Sequence, residues 1–258
     1  MRLRALFLVV AMALIGAGCG GGDAPASDTP AADAPAATPA ADATPMGTAS
    51  IAGTISFDGA APAPTPVRMK PECMDQYDEP PVSDNVVVTD GKLKSVFVHV
   101  SAGLPDGYSY PAPSEPAVLD QEGCMYVPHV LGMQTGQTFR IENSDPFQHN
   151  IHPVPEANRG FNESTPNEGD FLEKRFLVPE KAIQVKCDVH GWMLAYAFVL
   201  DHPYFGVSGD DGSFSIGGLP AGTYTLEAWH EEFGTQTMEV TVGDGEAVAA
   251  EFTFSAAG

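Results

Sequence analysis

Short runs of alternating or clustered apolar side chains recur along this chain, each closed by Gly, Pro, Asn or Asp. They fall at 50–57, 86–88, 93–100, 139–142, 171–178, 183–187, 194–200, 213–216, 223–229, 237–242 and 247–254. No segment keeps an apolar period of 3.6 residues for three turns, whereas period-two alternation is frequent. Strands that short and that often interrupted bury their apolar faces by packing sheet on sheet. The sequence therefore predicts an all-β protein, with sandwiches favoured over a barrel. The part beyond residue 47, about 210 residues, is long enough for two small domains.

One loop carries most of the chemistry. Cys187-Asp188-Val189-His190-Gly191-Trp192-Met193 spaces a thiolate, an imidazole and a thioether at three-residue intervals. The run 183–187 reads as a strand ending on the sulfur, and 194–200 as the strand that follows. A trigonal His₂Cys set with a weak axial Met is how proteins hold blue copper, and it requires one more histidine from elsewhere in the fold. His149 is the candidate, because strand-like residues 139–143 run into a turn, Ser144-Asp145-Pro146-Phe147-Gln148, that presents it at one end of a sandwich. Taken singly, a buried Cys is more often a small hydrophobe and a Met is packing. Their joint spacing is what points to a metal.

At these residues the chain resembles the cupredoxins, and within them the amicyanin and plastocyanin branch, over residues 106–203. The turn leading into His149-Asn150 is similar to that family's first copper ligand, and Cys187, His190, Trp192 and Met193 match the amicyanin loop, with Gly191 where that loop usually carries Pro. The resemblance implies a Greek-key sandwich holding one type 1 copper through His149, Cys187, His190 and Met193. It also implies a carrier of single electrons rather than an enzyme, exchanging them through an exposed edge of His190. Asn150 is expected to hydrogen-bond across to the Cys187 loop, and Trp192 to screen the metal from water.

Other copper chemistries fit less well. A multicopper oxidase needs paired His-x-His motifs, and a binuclear purple centre needs a second Cys in the loop; neither is present. The alternative is a copper-binding or delivery protein, or a carbohydrate-binding surface lipoprotein, without a carrier role. His152 is read as a surface or supporting histidine and His129 as supporting or structural. His99, His202 and His230 are read as ordinary surface or partly buried residues.

Residues 1–18 have the basic start, short apolar run and small-residue end of an export signal. Cys19, directly after them, resembles the acylated Cys of a bacterial lipoprotein. Residues 20–47 are nearly all Gly, Ala, Pro, Thr, Ser and Asp, a composition that reads as a tether reaching roughly 30–80 Å. The expectation is an exported protein held to a bacterial membrane by lipid, on the outer membrane's periplasmic or surface face. With Cys19 lipidated and Cys187 on copper, Cys73 and Cys124 remain as an even pair in a disulfide-permissive compartment. They are expected to bridge, free or metal-binding thiols being the alternative.

The net charge of −22 excludes nucleic acid as a natural ligand. Such a surface steers basic partners, for instance a c-type cytochrome with a lysine-rich face; solubility or a saline habitat accounts for it equally well.

The C-terminal runs, with Ser208-Gly209-Asp210-Asp211-Gly212 and Leu219-Pro220-Ala221-Gly222 as turns, resemble the carboxypeptidase regulatory, or transthyretin-like, sandwich. Ile51-Ala52-Gly53-Thr54-Ile55 looks like the first strand of that family. Residues 204–258 alone offer about four strands, few for an independent sandwich. The expectation is that 48–105 and 204–258 build this second sandwich together around an inserted copper domain; the alternative leaves 48–105 as extra strands of the copper domain. Trp229 and Tyr224 are read as core before sugar-binding, and Asp210 and Asp211 as turn formers.

Overall fold

The computed structural model describes residues 47–256. The export signal, Cys19 and the tether up to residue 46 lie outside the described residues. The described part is built of β-strands, with one four-residue helix, α1 (Pro71–Met74). Among the described residues no helix is long and apolar enough to cross a membrane.

Four sheets pair into two sandwiches. In the first sheet β1 (Ala49–Asp58) is central: β15 (Ser213–Leu219) lies antiparallel on one side and β18 (Ala247–Ser255) parallel on the other. Beyond Ser56, β3 (Lys92–Leu93) joins β1 and carries β2 (Val88–Thr89). Facing it is a sheet ordered β14 (Phe205–Val207), β4 (Phe97–Ala102), β16 (Gly222–His230) and β17 (Gly234–Val242). The two-residue period decides which side chains enter: along β16, Tyr224, Leu226, Ala228 and His230 are buried while their neighbours are not. They meet Ile51, Ile55, Phe252 and Phe254 in one core. Gly53 is required there, since a Cβ on it would sit 1.6 Å from the Ala250 carbonyl oxygen.

The second sandwich is formed by the intervening strands. One sheet runs β10 (Glu163–Thr165), β9 (His149–Val154), β12 (Glu180–Lys186), β13 (Leu194–Leu200) and β7 (Val130–Gln134). The other runs β11 (Phe171–Lys174), β8 (Phe139–Asn143), β5 (Ala117–Glu122) and β6 (Met125–Val127). Leu119, Tyr126, Phe139, Ile141, Ile151, Val185 and Ala197 fill the space between them. The chain thus leaves one sandwich after β4 and returns to it at β14, and β4 pairs with β14 and β16.

A third apolar cluster, Phe97, Val130, Phe198 and Leu200 with Phe205 and Trp229 packed on it, joins the sandwiches. Its Phe97 and Phe198 rings stack at 4.0 Å. Trp229 belongs to this seam, and Tyr224 lies in the core with its hydroxyl donating to the Pro220 carbonyl at 2.7 Å. Asp211 accepts the Ser213 N–H within its turn.

Candidate metal centre

The site forms where two neighbouring strands meet. β9 begins with His149, β12 ends at Lys186, and the antiparallel register places Lys186 opposite His152. Cys187, the next residue, therefore falls opposite Ile151, on the same face as His149 two residues further along. Tyr126 fixes this junction from the opposite sheet, its hydroxyl lying 2.7 Å from the Asn150 carbonyl and 3.0 Å from that of Lys186. The loop after Cys187 then folds back: the His190 N–H points to Cys187 Sγ at 3.4 Å, and the Met193 N–H donates to the His190 carbonyl at 2.9 Å.

His149, Cys187 and His190 converge. Their donor atoms lie within 4.8 Å of one another, and all three residues are buried. His149 Nδ1 is 2.9 Å from His190 Nδ1, and Cys187 Sγ is 4.0 Å from His190 Nδ1. Two donors held about 2.0–2.3 Å from one ion stand roughly 3–4 Å apart, so the triangle has the size a single metal needs. Met193 is buried in the same cluster.

The electrostatics suit a cation. Burial opposes ionisation of Cys187, but hydrogen bonds from His149 and from the backbone outweigh it and hold the thiol below its ordinary pKa. Burial and the neighbouring His149 push His190 down to about 4, which leaves a neutral imidazole at physiological pH. These two are the forms a soft metal takes, whereas His149, despite its burial, is held above its ordinary pKa by Asp145 and Cys187, so that a metal there displaces its proton.

Surrounding groups lock the donors. His149 Nε2 lies 2.8 Å from Asp145 Oδ2, and since the carboxylate has no proton the imidazole donates. Asp145, itself buried, also accepts the N–H groups of Gly123 at 2.8 Å and Cys124 at 2.7 Å. A carboxylate behind a metal-binding histidine fixes its ring and its tautomer. Asn150 does bond across to the loop: its Oδ1 accepts from Asp188 N at 2.6 Å and Val189 N at 3.3 Å. The Trp192 ring lies 5.1 Å from that of His190, and its Nε1 donates to the Cys124 carbonyl at 2.9 Å.

Cys73 and Cys124 form a disulfide. Its position corrects one expectation. His190 presents no exposed edge: it is 2% accessible, because α1 brings the disulfide over it, with Cys73 Sγ 3.7 Å from His190 Nε2. His99, His202 and His230 are likewise buried, not surface residues. His129 is buried against Glu231 and, at 3.3 Å, Asp84, whereas His152 is part-exposed and bonds Asp188 at 3.0 Å. Sequence reasoning missed Asp145 and the covering role of α1. The first had a signal in its place four residues before His149; the second had none beyond Cys73.

Residues 201–255 match the carboxypeptidase regulatory-like domain. Those residues hold β14 to β18; β1 and β4, which pair with them, precede the match. Among proteins of curated function, none matches the sequence. A copper-containing nitrite reductase from Thermus scotoductus SA-01 is similar at 19% identity over 38% of this chain, with a TM-score of 0.32, and this chain spans 25% of its length. A purple cupredoxin from Nitrosopumilus maritimus is 23% identical over 32% of this chain and 98% of its own, with a TM-score of 0.28. An oxidized amicyanin mutant is 16% identical over 40% of this chain and 97% of its own, with a TM-score of 0.30.

Proposed function

We propose that the chain is a carrier of single electrons in which His149, Cys187 and His190, with Met193 in the same buried cluster, would hold one type 1 copper. The observation that carries this reading is the convergence of two imidazole Nδ1 atoms and one thiolate in a buried pocket at the end of a β-sandwich. Copper, when bound there, supplies a reversible one-electron couple that the soft sulfur and the two nitrogens support in both states. The protein's part is to hold the donors still. His149 is pinned by Asp145, the Cys187 loop by Asn150 and Tyr126, and the ring of His190 by Trp192 and the disulfide. Burial keeps water from the metal.

The acidic surface suits a basic redox partner such as a c-type cytochrome, met by a head tethered to a bacterial membrane through Cys19. The reading assigns no catalysis. Copper holding or delivery without electron transfer draws on one observation, the cover over His190. The absorption spectrum of the copper-loaded protein tests the carrier reading. An intense visible band that bleaches and returns through cycles of reduction and oxidation, and is absent from Cys187→Ser, supports it. A colourless complex, or one that does not cycle, overturns it.

A further inference from the structure

The two histidines of the centre differ on their outer sides. His149 turns Nε2 to the Asp145 carboxylate, as a metal-binding imidazole ordinarily does. His190 does not: its buried Nε2 has the Cys73 sulfur, at 3.7 Å, as its polar neighbour. One donor atom from each of Cys73, Cys124 and His190 lies within 4.8 Å of the others. The 3.7 Å separation of sulfur and nitrogen is that of two donors sharing an ion.

We propose that Cys73, Cys124 and His190 Nε2 form a second, redox-convertible site that takes one copper(I) ion once the disulfide is opened. A disulfide is a poor ligand, whereas two thiolates and an imidazole are a soft set suited to copper(I). A dithiol reductant opens it: its thiolate attacks Cys73 Sγ, the S–S bond breaks, and its second thiol resolves the mixed disulfide. Two electrons and two protons pass to Cys73 and Cys124, and the reductant leaves as its own disulfide. Both sulfurs are buried, so attack requires α1 to lift, and α1 is only four residues long with Pro71 and Glu72 exposed. Copper(I) then displaces one proton from each thiol to solvent, with no further electron transfer. This outer site lies on the covered side of the inner centre and shares His190 with it.

The test uses the full chain carrying Cys19→Ser and Cys187→Ser, so that Cys73 and Cys124 are its remaining cysteines. Copper(I) is titrated anaerobically against a chromophoric chelator, before and after reduction by a dithiol, with near-ultraviolet circular dichroism reporting the fold. The reduced form is expected to hold one copper(I) tightly, to shield both thiols from iodoacetamide, and to lose about tenfold or more in affinity with His190→Ala. Equal affinity in the reduced and disulfide forms, no effect of His190→Ala, or loss of the fold on reduction would each overturn the proposal. Since Cys187 is absent from this protein, such a failure leaves the carrier reading untouched, and a colourless inner centre leaves this one untouched.

Discussion

Asp145 shows how far the candidate centre depends on a residue behind its donors. Its carboxylate orients His149 and ties it to Gly123 and Cys124, so an amide in its place frees the ring and leaves the part-buried Gly123 N–H and the buried Cys124 N–H to a single acceptor oxygen. Asp145→Asn is expected to weaken copper binding about 10- to 100-fold. It should also raise the reduction potential, because an anion that favours the more highly charged metal is gone; competition titration and voltammetry measure the two effects. An unchanged affinity would show that the ring is held by packing alone. At this scale the candidate site is largely legible in the sequence. Cys187, His190 and Met193 share one loop, and His149 follows a recognisable turn. Asp145 is less legible: its place four residues before His149 is a signal, but an Asp before Pro146 reads first as an ordinary turn former.

At the scale of elements, the crossover between β1 and β2 matters most. It leaves one sandwich, lays α1 over the candidate metal centre of the other and is stapled there by Cys73–Cys124 across a sequence separation of 51. Closing a loop of that length removes about 4 kcal/mol of unfolded-chain entropy by the chain-entropy relation. The double substitution Cys73→Ala, Cys124→Ala should lower the unfolding free energy in urea by about 2–4 kcal/mol. An unmoved midpoint would mean that the crossover is held by its contacts alone. β1 offers a second test. Gly53→Ala drives a methyl group into the Ala250 carbonyl and should cost at least about 2 kcal/mol by forcing β18 away. The pairing of the two cysteines follows from counting them in a chain whose start reads as an export signal. That the bridge covers His190 does not, because sequence separation carries no information about where a long crossover lands.

At the scale of the whole molecule, the two sandwiches are joined by the aromatic seam, by the Lys181–Glu227 ion pair and by a buried polar cluster. His129, after β6, is buried between Glu231 and Asp84. Burial disfavours its cation, but the two carboxylates more than offset this and raise its pKa to about 9. A histidine whose pKa is higher folded than unfolded stabilises fully below its unfolded value, near 6.5, and loses that contribution as pH rises through about 9. The melting temperature should therefore fall between pH 7 and 10, by an amount corresponding to on the order of 2–3 kcal/mol. The fall should be much smaller in His129→Gln, and equal falls would remove His129 from the seam. The all-β architecture is legible at this scale, since period-two alternation and frequent turn residues leave little else. The seam is not, because Phe97, Phe198 and Trp229 read as core side chains whichever sandwich they face.

X-ray absorption at the copper edge of the loaded, disulfide-intact protein bears most directly on the whole account. We predict one short copper–sulfur vector of about 2.3 Å and two copper–nitrogen vectors of about 2.0 Å, the sulfur vanishing in Cys187→Ser. A shell of oxygen and nitrogen alone, or a short sulfur that persists without Cys187, would contradict the convergence of His149, Cys187 and His190 on one ion.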